Sequence, residues 1–155
     1  MTRLDIKTQA SLFLVCLLFF STIPLANESN DFAMTTQSEA SGRAQTTWSG
    51  TQTLTSNYYI GVADELIIQS CTNVALDGGV RIYVEGRLTI EGTTSCPVVF
   101  QASSTATSGH EGIQFNSTSN GRGSNIQNLT ISNSVYGVTI YGSNPLISNL
   151  TINNP

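Results

Sequence analysis

Beyond residue 60, six carboxylates (Asp64, Glu65, Asp77, Glu85, Glu91 and Glu111) are the side chains that could hold a cation or move protons, and Arg81 and Arg87 stand among them. A calcium site needs several oxygen ligands around one point, and glycosidic cleavage needs a facing pair of carboxyls. After Asp64 the only aspartate is Asp77, and the glutamates are scattered singly, so neither arrangement can be assembled. Arginine mixed with carboxylates in this way commonly means ion pairing on a solvated face. No catalytic set is therefore expected within these residues. No cofactor is expected either; calcium is the one candidate these carboxylates raise, and no ligand set supports it.

His110 is the only histidine, and Glu111 follows it inside "QASSTATSGHEG", the longest interruption between apolar segments. Loops that break a regular scaffold often carry its binding function. His110 and Glu111 are thus the candidate ligand pair, although no metalloprotease spacing surrounds them. A solvated loop with one polar histidine is the commoner meaning. With a single histidine and no second cysteine pair, no metal site is expected.

The remaining reactive groups depend on compartment. The N-terminus reads "MTRLDIKTQASLFLVCLLFFSTIPLANES", with Arg3 and Lys7 before an apolar run and a small residue at Ala26. That layout predicts a secretory signal peptide over residues 1–26, the alternative being an uncleaved anchor. The membrane is expected as a partner only through this segment. Export places Cys71 and Cys96, the two cysteines left besides Cys16, in an oxidising compartment, where a disulfide between them is expected. Closing that loop would stabilise the fold by about 3 kcal/mol. Export also makes the four N-x-Ser/Thr asparagines, Asn27, Asn116, Asn128 and Asn149, candidate glycan acceptors. Asn128 and Asn149 recur at one repeat position, so an internal amide ladder competes with a sugar there. Asn133 and Asn154, where the chain must turn, are the favoured ladder positions.

Those residues must be carried by short strands. The 155-residue chain is 39% hydrophobic and only 10% charged, with net charge -4. No lysine follows Lys7, and so few cations leave no footprint for nucleic acid. Residues 27–57 are Ser/Thr-rich without sustained alternation and read as a spacer, with Trp48 as a marker for where order could begin. From Tyr58 onward, bursts such as "ELIIQ", "VRIYV", "RLTIE", "PVVFQ" and "GIQFN" alternate with period two and are punctuated by Gly, Asn, Ser and Pro. The fold class is all-β. An I-x-N-L-T-I-x-N repeat refines it: Ile126, Asn128, Leu129, Thr130, Ile131 and Asn133 recur 21 residues later at Ile147, Asn149, Leu150, Thr151, Ile152 and Asn154. A fixed return of like residues predicts stacked coils over residues 58–155, and two periods back from Leu129 falls Leu88-Thr89-Ile90.

The segments "VRIYVEGRLTIEGTTSCPVVFQA" and "GIQFNSTSNGRGSNIQNLTISNSVYGVTIYGSNPLISNLTINN" resemble the right-handed parallel β-helix of the pectin-lyase-like superfamily. The resemblance rests on Gly86, Leu88, Ile90 and Gly92, on Pro97 to Phe100, on Gly112 to Phe115, and on Gly137 to Ile140 with Pro145 to Asn149. It implies a right-handed β-helix with coils of about 21–26 residues, a length within the usual range of solenoid repeats. It also implies exported proteins of bacterial or archaeal type. The repeat ends without a polar cap, which would leave Leu150 and Ile152 uncovered, so an N-terminal part of a longer protein is expected. One fold hosts many activities, so the resemblance does not decide the function. The function expected is non-catalytic: a secreted or surface module binding a polysaccharide or cell-surface glycan, or mediating surface adhesion, through a Thr/Ser/Asn-rich face. Tyr136 and Tyr141 are the aromatics expected to be available for sugar stacking. The alternatives are a lyase or hydrolase whose active site lies beyond residue 155, and a structural spacer.

Overall fold

A computed structural model describes residues 43–154. The expected signal peptide, Cys16, Asn27 and the first part of the spacer lie outside the described residues.

Strands form where β-branched and aromatic residues alternate with polar ones, because that pattern buries one face of a pleated strand. Twelve follow in chain order: β1 (Ala44–Trp48), β2 (Thr51–Leu54), β3 (Tyr58–Ile60), β4 (Asp64–Gln69), β5 (Asn73–Leu76), β6 (Arg81–Val84), β7 (Arg87–Glu91), β8 (Val98–Ala102), β9 (Gly112–Phe115), β10 (Asn125–Ser132), β11 (Val138–Ile140) and β12 (Leu146–Asn153). Every pairing between them is parallel. One sheet carries the order β1-β4-β7-β10-β8-β5-β2 with β12 added on β10, and a second carries β11-β9-β6-β3. Following the chain, each circuit runs along one half of the first sheet, rounds a corner, continues along its other half, and crosses to the second sheet. The molecule is a parallel β-solenoid of about five coils.

Inward positions stack coil upon coil. Ile68, Ile90, Ile126 and Ile147 form one column, and Val74, Phe100, Ile131 and Ile152 another. The members of these columns up to Ile131 are fully or almost fully buried. Each such aliphatic side chain contributes about 1.5–3 kcal/mol of transfer free energy, which is what holds together strands only three to eight residues long. The last coil has a partner on one side only, since β12 pairs β10 alone among the described strands. Leu146 and Ile152 are accordingly exposed.

One boundary and one stacking register differ from the sequence expectation. Among the described residues, Ala44–Trp48 and Thr51–Leu54, inside the expected spacer, already belong to the solenoid, because β1 and β2 pair in register with β4 and β5. Their Gln/Thr-rich outer positions hid the alternation, but Trp48 turns inward and packs edge-to-face on Tyr58 at 4.8 Å. Leu129 does not stack on Leu88 either. Thr89 and Ile90 pair with Asn125 and Ile126, whereas Leu129 pairs with Val98. The extra turns at residues 103–111 and 116–124 stretch the interval between β7 and β10 to 36 residues, so counting back by 21 lands on the wrong half of the sheet.

The corner between the two halves is a single residue in the last two coils. Asn128 and Asn149 sit at φ of 48° and 54°, in the left-handed region, and interrupt the pairing of β10 with β12. In earlier coils longer turns round the same corner, and there Cys71 and Cys96 form the expected disulfide. It ties the corners of two successive coils, beside a backbone bond from Cys71 N–H to the Cys96 carbonyl.

Candidate functional site

The outer face of the second sheet is built by residues that alternate with its core. In β6, Ile82 and Val84 turn inward and are fully buried, which sends Arg81 and Tyr83 outward. Register then places Tyr59, Tyr83, Gln114 and Thr139 in one row across four coils. Tyr59 and Tyr83 stack with centroids 4.8 Å apart and planes 7° from parallel. That separation is the spacing between neighbouring strands.

Arg81 stands beside this row. Its carbon Cζ lies 5.7 Å from the Tyr83 ring centre and 5.1 Å from that of Tyr136, so two aromatic rings flank one guanidinium. Its Nη2 pairs with Glu111 Oε2 at 2.8 Å, and Nη1 donates to Gln114 Oε1. Gln114 Nε2 in turn donates to Asn116 Oδ1 at 2.8 Å. With its charge paired and two rings against it, Arg81 is only 11% exposed, while Tyr59 is 63% and Tyr136 58% exposed. The result is a patch of exposed aromatic surface bordered by amides, a carboxylate and phenol hydroxyls. Close coil contact is needed beneath it: Gly112 (φ 80°) carries no Cβ, and one placed there would lie 1.9 Å from the Gly137 carbonyl oxygen.

His110 is not in a solvated loop. Its side chain is fully buried, and the residue bridges in parallel to Ser134, as a rung of the coil. Gly112 N–H donates to Nδ1 at 3.1 Å, so Nδ1 is bare and Nε2 carries the proton donated to the Ser132 carbonyl, also at 3.1 Å. Burial lowers the His110 pKa, partly opposed by that carbonyl. With both nitrogens engaged, it does not join Glu111 as a ligand pair; Glu111 faces outward to Arg81 instead. The rest of the expected loop is folded onto the previous coil, where Ser103 Oγ and Thr105 Oγ1 donate to Asp77 Oδ1.

The amide ladder also sits elsewhere than expected. Asn149 Nδ2 donates to Asn128 Oδ1 at 3.0 Å, and Asn128 Nδ2 donates to the Gly92 carbonyl at 2.8 Å. Asn133 and Asn154 do not pair; Asn154 Oδ1 instead accepts from the backbone and hydroxyl of Ser134, both at 3.1 Å. A one-residue corner superimposes identical side chains, whereas the wider turn after Asn133 offers a serine first. At Asn128 the amide nitrogen that a glycan would occupy is part of the ladder. Asn116 contributes its oxygen to Gln114 and lies beside the aromatic patch.

The other carboxylates remain apart. Glu65 faces Arg87 Nε at 3.1 Å, and no three His, Cys, Asp or Glu side chains converge among the described residues. Tyr59 and Tyr83 carry only a weak signal in the sequence, although "YYI" and "RIYV" each put a tyrosine between inward residues. Their 24-residue offset, different from the 21-residue repeat, concealed that they share a row.

Fold and face together define an all-β parallel solenoid with an aromatic, amide-bordered outer surface. Comparison with protein-family models, with curated proteins and with solved structures finds no match for the chain.

Proposed function

We propose that this protein is an exported or cell-surface β-helix of pectin-lyase-like type that binds an uncharged polysaccharide or cell-surface glycan on the outer face of its second sheet. The observation that carries the reading is the patch of Tyr59, Tyr83 and Tyr136 around a neutralised Arg81, bordered by Gln114 and Asn116. Aromatic surface covers the apolar C–H face of a sugar ring, and adjoining amides and hydroxyls exchange hydrogen bonds with its hydroxyl groups. An uncharged ligand is favoured because Arg81, the guanidinium beside the tyrosine row, is already paired with Glu111 rather than free to clamp a uronate. Export is supported by the N-terminal residues and by the disulfide, which persists in oxidising compartments.

A glycan array probed with the full chain tests this reading. Neutral glycans are expected to be retained, and Tyr59→Ala together with Tyr136→Ala to weaken retention at least tenfold, or about 1.4 kcal/mol. No retained glycan, or retention indifferent to both substitutions, would contradict it.

A further inference from the structure

A second surface lies at the corner remote from the second sheet, between the two halves of the first. There residues 92–97 project as an arm beside the last two coils, and a groove of about 360 Å³ opens between arm and coils. Thr93, Thr94 and Pro97 form its wall, and Asn128, Thr130, Asn149 and Thr151 its floor. That volume is at the lower end of the range for small-ligand sites, roughly 300–1,000 Å³.

The groove is held at both ends of its wall. Asn128 Nδ2 fastens the Gly92 carbonyl at 2.8 Å, and the Cys71–Cys96 disulfide fastens the other end to the preceding coil. Gly92 lets the arm start against the coil, since a Cβ there would lie 2.3 Å from the Asn128 carbonyl oxygen. The floor is periodic: Thr130 pairs with Thr151 in register, and Asn149 bonds to Asn128. One Asn-x-Thr unit therefore repeats at the coil spacing, about 4.8 Å. Asn128 spends its amide on the ladder, whereas the exposed Asn149 uses one amide hydrogen there and keeps its oxygen for a ligand. No lining residue is charged.

We infer that this groove binds a segment of an uncharged, hydroxyl-rich chain lying along the solenoid axis, a second saccharide site independent of the tyrosine face. Hydroxyls and amides can both donate and accept, which suits sugar hydroxyls, and the absence of charge gives no preference for uronates or phosphates. A repeated floor matches a repeating ligand better than a single ring. The two sites lie on different sides of the coil, so one protein could hold two glycan segments and gain avidity from linkage.

The test is methyl NMR on threonine-labelled full-length protein, titrated with cellohexaose, xylohexaose and mannohexaose, with glucose and hexagalacturonate as comparators. The expected result is saturable shifts of the Thr94, Thr130 and Thr151 methyls with at least one neutral hexasaccharide, tenfold tighter than with glucose. Thr151→Val with Asn149→Ala should abolish them. Valine is compatible with this row, which already contains Val99 at the position paired with Thr130. The shifts should persist in the Tyr59→Ala, Tyr136→Ala protein, which separates this groove from the tyrosine face. Absence of groove shifts with every neutral hexasaccharide, shifts only with hexagalacturonate, or equal affinity for glucose would overturn the inference.

Discussion

His110 packs a neutral imidazole between the Gly112 N–H and the Ser132 carbonyl, and protonation would remove the acceptor that Gly112 needs. Burial is the main cause of its lowered pKa, so the unfolded chain takes up the proton first as pH falls. The contribution is therefore fully present above the unfolded value near 6.5 and is lost as pH drops from there toward the folded value, below which the loss levels off. Urea midpoints measured from pH 8 to pH 5 should fall below pH 6.5 in the native protein. His110→Gln should be less stable at pH 8 and lack that step. On the outer face, Tyr59 and Tyr83 form a pair worth about 0.5–1.5 kcal/mol beyond their burial. Tyr59→Ala should thus cost stability of that order in addition to weakening glycan retention, whereas Tyr136→Ala should act on retention chiefly.

At the scale of elements, the one-residue corners decide where strands bend. An ordinary side chain at the φ of Asn128 costs about 1–2 kcal/mol, which asparagine tolerates better than most residues. Asn128→Ala adds that strain to the loss of the bonds to Gly92 and Asn149, each worth about 1 kcal/mol net. A destabilisation of about 3 kcal/mol is expected, against about 2 kcal/mol for Asn128→Gly, which relieves the strain but still loses both bonds; chemical denaturation of both variants distinguishes the terms. Gly112→Ala should be worse than either, because its Cβ would meet the Gly137 carbonyl with no room for either coil to give. Such a corner is faintly legible in sequence. Ile126 and Leu129 are both fully buried although three residues apart, a slip in the period-two pattern at Asn128. Read as one continuous strand, "NIQNLTIS" sends the amide ladder to Asn133; read with the slip, it marks Asn128.

Across the whole molecule, the stacking of like residues was readable because β10 and β12 are separated only by short turns and keep a strict interval. It failed further back, where inserted turns change the coil length and only three-dimensional register links Ile90 to Ile126. The tyrosine face was hidden for the same reason, since row membership depends on register rather than on local spacing. The disulfide was readable from cysteine count and the expected compartment. Spanning 25 residues, it should contribute about 3 kcal/mol, so Cys71→Ser with Cys96→Ser should lower the unfolding free energy by that amount. The same pair of substitutions should leave the tyrosine face intact, because none of its residues contacts the corner.

Hydrogen–deuterium exchange of the full chain, with and without the best-retained neutral glycan, reads out directly whether the tyrosine face holds the sugar. Ligand-induced protection is expected in β3, β6 and β9 and in the turn carrying Tyr136, and its loss in the Tyr59→Ala, Tyr136→Ala protein. Protection that leaves these segments unchanged, or none with any neutral glycan, would contradict it.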